Sequence, residues 1–220
     1  MRYINSLAVS TAAALAVIAP ATANAVTVLD FEGIGDQQPV GDFYAPDFVF
    51  SPDTLAIIDQ DAGGTGNFAN EPSASTVMFF LNSNNAVLNA LNGFDTGFSF
   101  FYSSSTAATV NIWSGLNATG TLLGSINLAA QNTVNCGGDP TGTFCNFTNI
   151  GTTFEGTAFS IDFGGTANQT AYDNITFGSA TAGGAVPEPA TWALFILGFA
   201  LVGGALRSKR LNRMTTIRYS

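Results

Sequence analysis

The sequence predicts an all-β fold, an antiparallel β-sandwich or jelly roll, with a targeting segment at each end. Three observations lead there. Apolar and polar residues alternate over short runs, the period of a half-buried strand. Gly, Asn, Asp, Ser and Thr clusters separate the runs and supply turns. Nineteen phenylalanines in 220 residues provide apolar bulk for a core. About ten short strands in roughly 160 residues is the density of a two-sheet sandwich.

The elements follow in order. Val26 to Phe31 opens the domain. Phe48 to Phe50, Leu55 to Ile58 and Thr76 to Leu81 are expected strands. Ala86 to Leu91, flanked by asparagines, reads as one helical turn. Phe98 to Tyr102 is aromatic-rich, and Val110 to Ile112 alternates. Thr121 to Leu128 and Phe144 to Asn149 are further strands. Phe159-Ser160-Ile161-Asp162-Phe163 alternates over five positions. Tyr172 to Phe177 closes the domain, with Ile175 and Phe177 two apart. No internal repeat of fixed period is present.

Residues 1–25 read as a secretory signal peptide. Arg2 precedes an apolar stretch from Leu7 to Ala19, Pro20 breaks it, and Ala23-Asn24-Ala25 supplies small residues for cleavage after Ala25. Residues 26–185 then form one domain, enough chain to bury a core.

The far end carries three parts in series. Pro187-Glu188-Pro189 comes first, with Trp192 and Ala193 just behind. Ala190 to Leu206 is uncharged over 17 residues, long enough to cross a bilayer as a helix. Arg207, Lys209 and Arg210 follow, and such residues stay on the cytoplasmic side. This arrangement resembles the PEP-CTERM sorting signal of Gram-negative bacteria, in its PEPxxWA form. Pro187, Glu188, Pro189, Trp192 and Ala193 match the motif. Gly198, Gly203 and Gly204 resemble the small-residue pattern of its helix, and Arg207, Lys209 and Arg210 its basic end. The resemblance covers residues 186–210, with the motif at 186–193, a transmembrane helix at about 190–206 and the basic end at 207–210. Residues 211–220 extend beyond the usual end as a cytoplasmic tail. The resemblance implies recognition by an exosortase, a membrane protease-like enzyme, and association with exported polysaccharide. Implied partners are the secretory translocon, signal peptidase and the exosortase, with the inner membrane as a station before processing. The implied destination is the outer cell surface or the extracellular matrix.

All six basic residues lie in the two ends, and the chain has no His. Between Val26 and Ala185 there are 14 acidic residues and no Lys or Arg. That domain contains no salt bridge. A Ser-His-Asp triad and a Cys-His pair are excluded for want of imidazole. Two cysteines without His do not make the usual zinc site. The charge repels nucleic acid and anionic lipid. Carboxylate chemistry remains: a two-acid glycosidase, or a hard cation such as calcium.

Cys136 and Cys145 lie close together in an exported chain and are expected to form one disulfide. It closes a turn-like loop of Gly, Asp and Pro, contributing about 2–3 kcal/mol.

Leu29-Asp30-Phe31-Glu32-Gly33 at the start and Tyr172-Asp173-Asn174-Ile175-Thr176-Phe177 at the end resemble a carbohydrate-binding-module-like jelly roll. That resemblance implies neighbouring first and last strands, with Glu32 and Asp173 as candidate ligands of a structural calcium. Asp59 and Asp61, in a glycine-rich stretch with Asn67, Asn70 and Glu71, form a weaker candidate set, and a solvated loop is the competing reading. Trp113 is a candidate sugar-stacking ring, with core packing as the alternative. The sequence thus predicts an exported, non-catalytic surface or matrix protein that binds polysaccharide, with or without calcium. The alternatives are a structural coat or adhesin subunit and a carboxylate-based glycan-cleaving enzyme.

Overall fold

The computed structural model describes residues 26–134, 136–137, 142–183, 195–201, 203 and 207. The chain divides into two units, Asn24–Val186 on one side and Met1–Ala23 with Pro187–Ser220 on the other. The first is a two-sheet antiparallel sandwich. One sheet runs β3 (Thr54–Ile58), β4 (Thr76–Phe80), β11 (Thr170–Phe177), β6 (Gly97–Ser104) and β9 (Thr148–Thr153). β1 (Thr27–Leu29) pairs with the last residues of β11. The other sheet runs β2 (Phe48–Phe50), β5 (Asn85–Phe94), β10 (Ala158–Gly164), β7 (Ala108–Gly115) and β8 (Thr119–Leu128).

Alternation places the core. Phe98, Phe100 and Tyr102 of β6 point inward, as do Ile161 and Phe163 of β10 and Val110 and Ile112 of β7. A fully buried Phe or Ile contributes roughly 1.5–3 kcal/mol. The rings pack edge to face: Phe163 meets Tyr172 at 4.9 Å and 65°. The Tyr172 hydroxyl donates to the Gly164 carbonyl at 2.8 Å, so the buried phenol is satisfied. Tyr172 and Ile175 are three apart yet both face inward. The β11–β6 register shifts between Asp173 and Thr176, and Asn174 takes a φ of 48° there. That bulge restores the inward phase.

Two sequence expectations change. Ala86 to Leu91 is strand, inside β5, and not a helical turn. Ala86, Leu88 and Ala90 are buried while Val87 and Asn89 are only half-buried; the period is two, hidden because apolar Val87 and Leu91 occupy outward positions. Phe144 to Asn149 is strand only from Thr148. Phe144 instead makes an isolated bridge with Phe68, because the Cys136–Cys145 disulfide holds that segment as a loop.

β4 is buried at all five positions. Met78 and Phe80 enter the main core, while Val77 joins Phe68 and Ala171 in a second cluster outside the first sheet. Phe144 and Phe147 pack onto it, so the segment that carries them is a roof over the outer face.

The signal peptide and residues 187–193 lie outside the described residues, as do Lys209, Arg210 and part of the expected 190–206 span. Residues 195–201 are helical, with Phe195 and Phe199 stacked one turn apart at 6.2 Å. Among the described residues no helix is long and apolar enough to cross a membrane.

Candidate functional site

Glu32 and Asp173 are brought together, as the pairing of first and last strands requires. Phe31 (φ 62°) and Gly33 (φ 87°) turn the chain sharply after β1, and Phe31 is fully buried. The Phe31 amide donates to the Tyr44 hydroxyl at 2.7 Å. Glu32 Oε1 accepts the Ser75 and Thr76 amides at 2.9 and 2.8 Å. Asp173 is fully buried. Its carboxylate accepts the Ser73 amide at 2.9 Å and the Asn174 amide at 2.6 Å.

Ser73 stands at the centre, and sequence reasoning missed it. Its hydroxyl oxygen lies 2.8 and 2.9 Å from the two Asp173 oxygens, 3.1 Å from the Asp30 carbonyl, and 3.4 Å from both Glu32 Oε1 and the Thr76 carbonyl. One hydroxyl has one proton. That proton serves one of these oxygens at a time, while backbone amides of Ser73, Asn174, Ser75 and Thr76 serve the two carboxylates. Burial pushes the Asp173 carboxyl up to about 7, against the hydrogen bonds from Ser73 and Asn174, with Glu32 adding repulsion. An all-oxygen set of two carboxylates, two carbonyls and a hydroxyl fits a hard cation. Among the described residues no three acidic side chains converge, so carbonyls and hydroxyls would have to complete the shell.

Asp59 and Asp61 lie in a tight loop with a 3-10 turn over Gln60–Ala62. A Cβ on Gly64 would sit 2.1 Å from the Ile58 carbonyl oxygen, so only glycine permits that return. The loop is anchored by Asp36, which accepts from the Ile58 amide at 2.9 Å and the Thr65 hydroxyl at 2.8 Å. Burial raises the Glu71 carboxyl, and Asp59, Glu32 and Asp61 add to it.

Trp113 lies on β7 opposite Ser160 of β10 and Leu122 of β8. It is half-buried on the outer face of the second sheet and outside the core cluster. The β7–β8 turn folds across that face. Asn117 exchanges hydrogen bonds with the Asn89 side chain at 2.7 and 2.8 Å, and the Ala118 amide donates to Ser160 at 2.9 Å. The tip thus passes over the cross-strand neighbour of Trp113, so the ring is no open platform.

A cleft of about 380 Å³ opens where the chain enters and leaves the sandwich. Thr27, Phe48, Asn92, Gly93, Phe94, Asp95, Thr157, Phe177 and Gly178 line it. Phe48 and Phe177 stack at 4.5 Å, and Phe94 meets Phe177 edge-on at 4.8 Å. The Asn92 amide is aimed by Asp47 at 2.7 Å. Gly93 has a φ of 69°, and a Cβ there would meet Thr157 at 2.7 Å. An apolar floor with a few amide, hydroxyl and carboxylate groups on the rim is the make-up of a small-ligand site.

Arg207, at the expected basic end, is helical, and residues 185–210 match the model of the PEP-CTERM protein-sorting motif. The chain carries a PEP-CTERM sorting signal. The PEP-CTERM signal implies export and processing by an exosortase-type enzyme. No curated protein matches the sequence. Among solved structures, the K2 cleaved adhesin domain of Lys-gingipain is similar at 13% identity and TM-score 0.45, covering 69% of this chain and 97% of that one. A family 6 carbohydrate-binding module is similar at 14% identity and TM-score 0.38, covering 69% and 92%. CsCBM6-3 from Clostridium stercorarium, solved with cellobiose, is similar at 15% and 0.38, covering 69% and 92%.

Proposed function

We propose that this PEP-CTERM protein is a non-catalytic surface or matrix component that binds neutral polysaccharide in the Phe48–Phe94–Phe177 cleft. The cleft carries the reading: ring carbons for the apolar face of a sugar, with Asn92, Thr157 and Asp95 for its hydroxyls. The negative domain repels uronate-rich polymers unless a cation intervenes. The lining holds one carboxylate, Asp95, whereas glycan cleavage uses two acids flanking the bond. Of the two acids that burial raises, Asp173 and Glu71, neither lines the cleft.

Calcium at Glu32, Asp173, Ser73 and the Asp30 and Thr76 carbonyls belongs to this reading as a structural ion that fastens the first strand to the last. Wild type then melts higher with calcium than with chelator, and Asp173→Asn abolishes the difference; equal melts for wild type in both conditions would exclude the ion.

The deciding experiment measures retention of the full chain, in detergent, on the host's own exopolysaccharide and on neutral and uronic-acid polymers. Saturable binding to neutral polymer, weakened at least about tenfold by Phe48→Ala, is expected. Indifference to Phe48→Ala would move the site elsewhere, and polymer shortening would revive the glycan-cleaving alternative.

A further inference from the structure

The two flanks of the sandwich are finished differently. On the β2/β3 flank both strand edges are covered. The Val40 amide donates to the Thr54 carbonyl at 3.0 Å, and the Ala56 amide to the Gln38 carbonyl at 2.9 Å. Pro39 bridges to Leu55. The Phe50 amide donates to the Gly41 carbonyl at 2.8 Å. One segment therefore seals both sheets, and Asp36, Asp42, Asp47 and Asp53 lie in or beside it. Covering an edge and charging it are two ways proteins prevent edge-to-edge pairing.

The β8/β9 flank has neither protection. β8 ends the second sheet and β9 ends the first; among the described residues, β8 pairs only with β7 and β9 only with β6. The two strands lie side by side. Neither contains Pro, Lys, Arg, Asp or Glu. Residues 96–138 carry no charge at all, in a domain holding 14 carboxylates. The register of β8 is disturbed around Leu122 and Leu123, but Gly124 to Leu128 pairs regularly with β7. Leu116 and Leu122 stand 40% and 48% exposed on the same hairpin.

We infer that the β8/β9 flank is a self-association surface whose occupant is a second copy of this chain, docked about a two-fold axis with β8 antiparallel to its counterpart. Charge selects the occupant and the place. Two copies of so acidic a domain repel wherever their carboxylates face each other, and this flank is where they meet without doing so. An antiparallel pair of identical strands is self-complementary, which a closed two-fold contact requires. The contact extends the second sheet from five strands to ten. It does not use the cleft, so it stands or falls independently of sugar binding.

The test is sedimentation of the full chain in density-matched detergent over a wide dilution series, with hydrogen exchange read at both ends of that series. A monomer–dimer equilibrium is expected, with Gly124 to Leu128 amides protected when concentrated and exposed when dilute, and β3 unchanged. Ser125→Asp with Asn127→Asp puts like charges across the joint and should raise the dimer dissociation constant about tenfold or more. Gln37→Glu with Gln38→Glu adds the same charge to the sealed flank and should leave it unchanged. A monomer throughout, a species larger than a dimer, or a dimer equally weakened by both variants would overturn the inference. Concentration-independent exchange in β8 would do so without any variant.

Discussion

On the first sheet Ser99, Ser103, Asp173 and Thr176 point away from the core and are still fully buried; on the second, Thr109, Ser125 and Asn127 hold comparable outward positions and stand in solvent. The difference lies in where the loops go. The segment after Gly142 brings Phe144 and Phe147 onto Val77 and Ala171. Ser73 and Ser75 tie the segment before β4 to Asp173 and Glu32. Ser99 donates to the Ser179 carbonyl at 2.8 Å, holding the segment after β11 across the same face. On the open face the polar side chains satisfy one another, as Asn85 does Asp162 at 3.0 Å and Ser125 does Asn111 at 2.7 Å. The same outward serine or threonine is thus structural on one sheet and solvent-facing on the other.

That contrast can be broken in four ways, in descending order of effect. The largest uses pH. Folded Asp173 keeps its proton up to about 7, while unfolded Asp ionises near 3.9. The contribution of Asp173 to stability is therefore full below about pH 4 and is lost as pH rises through 7, by on the order of 4 kcal/mol without cation. Calorimetry from acid to neutral in chelator should show the fall, calcium should flatten it, and Asp173→Asn should remove it. Next, Phe68→Ala empties the roof cluster and should cost about 3–4 kcal/mol in denaturant melts. Replacing Cys136 and Cys145 together by Ser should cost about 2–3 kcal/mol, seen as a lower Tm that reductant no longer changes. On the open face Thr109→Ala and Ser125→Ala should each stay within about 0.5 kcal/mol. A large loss there would mean that this face, too, is covered.

The fold was legible where alternation was strict, as in Phe159 to Phe163, and where aromatics marked every inward position, as in Phe98 to Tyr102. It was illegible at Ala86 to Leu91, where Val87 and Leu91 put apolar residues on the outward side and blurred the period. Glu32 and Asp173 could be paired because first and last strands are neighbours. Ser73 could not, because nothing in a run of small polar residues says which one will face two carboxylates. The cleft was out of reach for a different reason. Its lining comes from Thr27, Phe48, Asn92 to Asp95, Thr157 and Phe177 to Gly178, five separate stretches that only the sheet pairing assembles. Gly93, an isolated glycine at a strand end, was the one local signal.

No peptide bond between Val26 and Leu206 follows a lysine or an arginine. An endoprotease that reads a basic residue before the scissile bond finds nothing to cut in the exported domain, even when it unfolds. Against such an enzyme, this is protection from digestion that does not depend on fold stability. The same composition leaves no side-chain amine there. Cleavage after Ala25, the position the sequence predicts, would give the domain one amine, a new terminus next to Thr27 of the cleft lining, where an amine-reactive dye would report on ligand occupancy.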